Sequence, residues 1–274
     1  MSAFDPRPCV LDGNAVRDGV VAVSSGAEVL THGEGLFESL PVVDGRPKFL
    51  AAHLRRLDEG ARALGLGPGP ADAEVRADAS TLAALCGGAT FALRLVLFRD
   101  GARVRRLATA TAFPSDAGRP VALVVAAPHL NGPRALAGLK TLNYLVPRLA
   151  HRDAAARGAD EALFTLPDGT VLEGTRSNAF CVRGGALWTA PLSLPILPGV
   201  TRDALLSAAR RLGVPVREEP FPLSALYDAE EVFIGASVRG LRPATRLEGR
   251  AIGREDGPVT AALKAAYRAE FDAD

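Results

Sequence analysis

Between Glu161 and Ala190 short apolar runs alternate with turn signals. Glu161 to Leu166 is followed by Pro167-Asp168-Gly169-Thr170 and Val171-Leu172, and Ala179 to Val182 by Gly184-Gly185 and Leu187 to Ala190. Pro and Gly in these settings favour tight reversals, so the stretch reads as consecutive antiparallel hairpins. A chain built this way cannot be a doubly wound parallel sheet, which needs a helix between successive strands. The expected class is α+β, and no internal repeat suggests a solenoid.

The flanking segments fit that frame. Leu50, Leu54, Leu57, Ala61 and Leu64 recur at helical spacing, and Gly65-Leu66-Gly67-Pro68-Gly69-Pro70 stops the helix. A second helix is expected over about 73–85, others over 143–157, 201–212 and 259–271, and a strand over 231–234. Phe91 to Phe98 and Val121 to Ala127 read as buried strands, and the breaker cluster of Pro114, Ser115, Asp116, Gly118 and Pro120 separates them. The chain therefore divides into a small N-terminal domain (1–113), a linker (114–120) and a larger C-terminal domain (121–274).

A formal net charge of +1 over 274 residues offers no electrostatic footprint for nucleic acid. No uninterrupted apolar run of membrane-spanning length is present, and the N-terminus shows no basic-then-apolar leader, so the expectation is a cytoplasmic protein without membrane contact. Cys9, Cys86 and Cys181 are widely spaced and odd in number, matching neither a disulfide framework nor a metal-ligand cluster. They read as reduced structural thiols, and no metal site is expected.

Of 32 basic residues only Lys48, Lys140 and Lys264 are lysine. A guanidinium stays protonated and cannot replace an amine that must form an imine, so a chemically required lysine survives such a bias toward arginine. Lys140 sits in Gly138-Leu139-Lys140-Thr141-Leu142-Asn143, an apolar setting where desolvation lowers an amine pKa. Glu173 lies between apolar strands in Val171-Leu172-Glu173-Gly174, and a buried carboxylate needs a cation or hydrogen-bond donors. A protonated ring nitrogen or one of the many arginines would serve. Pro198-Gly199-Val200-Thr201 opens an amphipathic helix whose first amides suit a phosphate, although Thr201 also reads as an ordinary cap. In His53-Leu54-Arg55-Arg56-Leu57 either arginine could add a bidentate phosphate contact.

Taken in order, Gly33-Glu34-Gly35-Leu36-Phe37-Glu38, His53-Leu54-Arg55-Arg56-Leu57, Lys140-Thr141-Leu142-Asn143, Glu173-Gly174-Thr175-Arg176-Ser177-Asn178, Gly199-Val200-Thr201-Arg202 and Phe233-Ile234-Gly235-Ala236-Ser237 resemble the class IV, or fold-type IV, pyridoxal 5′-phosphate (PLP) enzymes. Lys140 and Glu173 stand 33 positions apart, and the likeness runs nearly the whole chain. It implies a small α/β N-terminal domain and a larger domain with a β-barrel-like core, PLP between them, and a homodimer. Lys140 would be the catalytic residue, carrying PLP covalently and shuttling the α-proton, and Glu173 would pair with the ring nitrogen. The resemblance chooses Arg56 over Arg55 as the phosphate arginine, with Gly199, Val200, Thr201 and Ser237 forming the rest of the phosphate cup. It also brings Ser177, Asn178 and Tyr144 to the cofactor.

The family contains several activities. Arg176 stands where the better-known members carry a small or uncharged residue, and a guanidinium there is a natural carboxylate clamp. A Glu-x-x-Arg-Ser-Asn arrangement resembles a less common group of D-amino-acid transaminases, so the favoured reading is transfer of an amino group between a D-amino acid and a 2-keto acid. The rival is 4-amino-4-deoxychorismate lyase, which forms 4-aminobenzoate and pyruvate; Tyr144 counts mildly against it. Branched-chain L-amino-acid or (R)-amine transamination, or a non-catalytic PLP-binding protein, rank lower. Phe37 replaces a tyrosine of typical D-amino-acid enzymes. His32 lies near the expected substrate mouth, and Arg103, Arg105 and Arg106 are placed in a loop between strands of the small domain that, by the resemblance, could reach the partner subunit's site, with Arg103 as a substrate-binding candidate.

Overall fold

The computed structural model describes residues 7–132, 135–255 and 257–274, and it divides into two compact units. Residues 1–6, part of the N-terminal stretch expected to carry no leader, lie outside the described residues. The first unit contains the chain through Pro114 together with Leu139–Asn143, and the second contains Ser115–Gly138 and Tyr144–Asp274. The contiguous division expected from the breaker cluster thus differs at one short segment, the one that carries Lys140. Its backbone explains why. Leu142 donates its N–H to the Gly35 carbonyl, the Phe37 N–H donates to the Lys140 carbonyl, and Thr141 bridges Leu36, so the segment lies along a strand of the first unit.

The first unit comprises β1 (Cys9–Leu11), β2 (Asn14–Val16), α1 (Glu28–Thr31), β3 (Gly35–Val43), β4 (Arg46–Pro47), α2 (Leu50–Ala63), α3 (Asp72–Cys86), β5 (Phe91–Asp100) and β6 (Arg103–Thr111). Its six strands form one sheet in the order β2-β1-β6-β5-β3-β4. Side chains alternate across the strands. Leu36, Leu40, Val42, Leu93, Leu95 and Leu97 join Leu57, Ala61, Val75, Ala79 and Leu82 of α2 and α3 in one core. Phe37, Ser39, Arg94 and Val96 consequently belong to the opposite face.

Arg103, Arg105 and Arg106 stand on strand β6, not in a loop. Gly101 adopts a left-handed φ of +60°, which lets β5 and β6 join as a tight hairpin with Asp100 opposite Arg103. Arg105 pairs with Asp12 and Asp100, and Arg106 with Glu74 and Asp78. These carboxylates, most of them supplied from distant parts of the chain, accommodate Arg105 and Arg106 on the strand, while Arg103 is exposed.

The second unit contains β7 (Val121–Val125), α4 (Leu145–Ala156), β8 (Glu161–Thr165), β9 (Val171–Gly174), β10 (Asn178–Arg183), β11 (Ala186–Thr189), α5 (Val200–Arg211), β12 (Val216–Glu218), α6 (Ser224–Tyr227), β13 (Glu231–Ala236), β14 (Gly240–Leu247), β15 (Arg250–Ala251) and α7 (Pro258–Ala273). The path β10-β13-β14-β7-β8-β9 returns to β10, so six strands close into a barrel. The closing pair is Asn178 opposite Glu173. Val121, Leu123, Leu163, Val171, Ala179, Ile234 and Ala244 of these strands share one buried cluster. The α+β class with a barrel-like core, expected from the resemblance, is the observed fold.

Cys9 and Cys181 are buried free thiols, and burial pushes Cys181 up to about 12. Cys86 is exposed at the end of α3, so the reading of all three as structural does not extend to it. Among the described residues no helix is long and apolar enough to cross a membrane.

Candidate active site

In the first unit, pairing with β3 fixes the Lys140 carbonyl and the two residues that follow it. The side chain is half-buried, and Nζ lies 4.5 Å from the centre of the Phe37 ring. The guanidinium carbon of Arg94 lies 3.8 Å from the same ring centre. Phe37 is therefore the apolar floor of a small cationic cluster, and its aromatic face attracts both charges. Arg94 did not emerge from the sequence reading. The available signal was a single charge interrupting the apolar run Phe91 to Phe98.

On the helix-facing side of the same sheet, Glu38 is 1% exposed. Arg56 on α2 donates from Nε and Nη2 to the two Glu38 oxygens at 2.7 and 2.6 Å, and His53 Nδ1 lies 2.7 Å from Oε2. One turn of helix separates His53 from Arg56, so both face the strand together. Burial alone would raise the Glu38 carboxyl, but Arg56 and His53 outweigh it and hold the group at about 2. Burial lowers the His53 pKa, with Arg56 and Lys140 opposing its protonation, so His53 is neutral and its Nδ1–H donates to Glu38. Arg55 is exposed and Arg56 half-buried. His32 is exposed at the end of α1, with Nδ1 2.8 Å from its neighbour Thr31 Oγ1, and Arg103 is exposed at the start of β6.

In the second unit, Glu173 is 4% exposed on β9. Its Oε2 accepts the Leu197 N–H at 3.0 Å and an Asn178 Nδ2 hydrogen at 3.4 Å. Asn178 Nδ2 also donates to the Leu197 carbonyl at 3.0 Å. Two residues further, Gly199 is the N-cap of α5, and no side chain caps that helix. Its first amides and the positive end of its dipole suit an anion. Thr201 in the first turn and Ser237 after β13 bring their hydroxyls within 3.4 Å of one another. Gly235 permits the approach, since a Cβ there would stand 3.3 Å from Thr201 Cγ2 and 3.1 Å from Leu205 Cδ1.

A third buried carboxylate, Glu161 on β8, was not singled out in the sequence. It accepts the hydroxyls of Thr175 and Ser177 and the Thr175 N–H. Ser177, expected at the cofactor, thus spends its hydroxyl on Glu161. Tying down Thr175 and Ser177 projects Arg176 between them into solvent. Arg176 Nη2 stands 3.4 Å from His151 Nδ1. Burial lowers the His151 pKa and the Arg176 charge lowers it further, leaving a neutral ring whose Nδ1 accepts from Arg176. Tyr144 caps α4 and donates its hydroxyl to the Thr175 carbonyl, which joins the start of α4 to the same turn.

These features fit PLP. A buried carboxylate oriented by a backbone N–H and a carboxamide suits a pyridinium N–H, a helix terminus without a side-chain cap and with paired hydroxyls suits a phosphate, and a lysine fixed through its backbone suits an imine link. The comparisons with known proteins agree. The family described as "Amino-transferase class IV" matches residues 35–247. A protein of Methanocaldococcus jannaschii named "Putative branched-chain-amino-acid aminotransferase" is 31% identical, covering 94% of each chain. A Mycobacterium tuberculosis protein named "Bifunctional aminodeoxychorismate lyase / D-amino acid transaminase" is 30% identical over 89% of this chain and 92% of its own. The PLP-bound form of a hypothetical aminotransferase from Mycobacterium tuberculosis superposes with a TM-score of 0.86 at 26% identity, over 97% of this chain and 99% of that one. The chain belongs to the class IV aminotransferases, enzymes of fold type IV whose cofactor is pyridoxal 5′-phosphate.

Proposed function

We propose that the chain moves an amino group between a carboxylate-bearing amino acid, D-configured by preference, and a 2-keto acid. The observation that carries this reading is Arg176. It is exposed, held between two anchored residues, and hydrogen-bonded to a neutral histidine, so its charge is available to a substrate carboxylate. The relative named for both lyase and D-amino-acid activity supports the same direction.

In this reading Lys140 would hold the cofactor, and its Nζ would take and return the substrate α-proton. Bound PLP supplies the electron sink. Glu173 would accept the ring N–H and favour the protonated ring. Arg56, the amides of Val200 and Thr201, and the hydroxyls of Thr201 and Ser237 would take the phosphate. Tyr144 stands beside the Arg176 turn and orients it through Thr175. The reading includes a homodimer, for which the exposed Leu145, Val146 and Leu149 of α4 offer apolar area.

The test is the absorbance of PLP-loaded protein before and after D-alanine, D-glutamate, L-leucine and (R)-1-phenylethylamine, each added alone. Conversion to the pyridoxamine spectrum with a D-amino acid is expected; a response to L-leucine or the plain amine alone would overturn the preference. Pyruvate released from aminodeoxychorismate without any keto acid would make the protein a lyase. Lys140→Ala should lose the lysine-bound cofactor spectrum and all turnover, and an unchanged spectrum would remove Lys140 from its role.

A further inference from the structure

Asn178 occupies the seam of the barrel. It is the first residue of β10, and its pairing with Glu173 of β9 is the step that closes the six-stranded ring. Its side chain is buried and engaged on both sides of the carboxamide. Nδ2 donates to Glu173 Oε2 at 3.4 Å and to the Leu197 carbonyl at 3.0 Å. Oδ1 faces Gly199 so closely that a Cβ added there would stand 2.0 Å away. The Leu197 N–H returns to Glu173 Oε2 at 3.0 Å. Glu173, Asn178 and the Leu197–Gly199 loop therefore form one closed set of contacts, and the loop ends as the N-cap of α5.

A primary amide is the side chain this place requires. It offers two donors and an acceptor in one plane, whereas a carboxylate lacks the donors and would set a second negative charge against Glu173. With both donors committed to protein oxygens, Asn178 supports the site from behind. We propose that Asn178 is a positioning residue that fixes the spacing between Glu173 and the N-terminus of α5, so that the ring end and the phosphate end of the cofactor are gripped as one rigid unit. The inference rests on the reading of Glu173 and α5 as the two ends of the PLP site. Gly199 is part of the same device, because any side chain there would displace the Asn178 amide.

Double-mutant cycles on the affinity of the apoprotein for PLP, with pyridoxal as a phosphate-free control, separate this role from a merely structural one. Asn178→Ala is expected to weaken PLP about tenfold and pyridoxal less. Thr201→Val should cost PLP affinity in the parent protein and little in the Asn178→Ala background, since the phosphate end is already displaced there. Full retention of the Thr201→Val penalty in that background would overturn the proposal. If Glu173→Gln and Thr201→Val each leave PLP affinity unchanged, the cofactor site itself is misassigned and the inference falls with it. Asn178→Asp guards against a misfolded alanine variant. Its PLP affinity relative to the parent at the same pH should recover as pH falls, because a protonated carboxyl again donates to Glu173; a flat ratio overturns the proposal.

Discussion

Glu38 in the first unit and Glu173 in the second are both almost completely buried on strands, and they are held by different kinds of donor. Glu38 on β3 receives a two-point guanidinium contact from Arg56 and an N–H from His53. Glu173 on β9 accepts a backbone N–H from Leu197 and an amide hydrogen from Asn178. A guanidinium both binds and neutralises a carboxylate, whereas a backbone N–H and a carboxamide fix the direction in which a carboxylate points. The first arrangement suits a fixed structural node that also aims Arg56. The second suits a group whose orientation matters.

That contrast can be broken most forcefully at Glu38. Replacing it by alanine strands Arg56 and His53 in a buried site, and such a loss costs about 3–5 kcal/mol. Denaturant unfolding should show that loss for Glu38→Ala and a clearly smaller one for Glu173→Ala; equal losses would erase the distinction. Acid sharpens it further. The folded-state Glu38 pKa of about 2 lies below its ordinary value, so its contribution is complete above the unfolded pKa and disappears as pH falls through the folded one. Over that window, from about pH 4.5 to about 2, roughly 2–3 kcal/mol of stability should be lost. The lowered His53 pKa acts in the same direction, its share draining away as pH drops below the ordinary imidazole range. Thermal unfolding across pH 2 to 7 should show a shallower acid decline for Glu38→Gln than for the parent.

The smallest effect on folding belongs to Arg176. Arg176→Ala should change stability by less than about 0.5 kcal/mol, as expected of an exposed position. It should lower kcat/KM for carboxylated substrates roughly 10- to 100-fold, the loss of a charge-assisted contact of about 1.5–3 kcal/mol. Steady-state kinetics on D-alanine and on (R)-1-phenylethylamine compare the two cases, and equal losses would take Arg176 out of the substrate site.

Several parts of the fold were legible because their signal is local. The Leu50 to Leu64 spacing and the breaker run after it produced α2, and Pro167 to Thr170 produced the turn before β9. Strand β6 is obscured in the sequence by Arg103, Arg105 and Arg106, because the carboxylates that accommodate the last two, Asp12, Glu74, Asp78 and Asp100, are brought to them by folding. Strand β14 was likewise hidden by Arg242, which is 5% exposed and bonded to the Arg119 carbonyl and Asp116. In the site, Lys140 and Glu173 stood out by chemistry and neighbours. Arg94, Glu38, His53 and Glu161 did not, because each acquires its meaning from a partner brought near only by folding.

The sequence by itself determined the family, the cofactor and the order of the site segments, since scarce lysine, buried-strand glutamate and a Gly-Val-Thr helix start are chemical requirements written locally. Only the tertiary structure decided which neighbour each side chain serves. It laid the Lys140 segment along β3, turned Ser177 toward Glu161, locked Arg56 onto Glu38 and closed the barrel at Asn178 and Glu173. Hydrogen bonds and ion pairs act over a few ångströms, and which residues come within that range is set by strand register and packing.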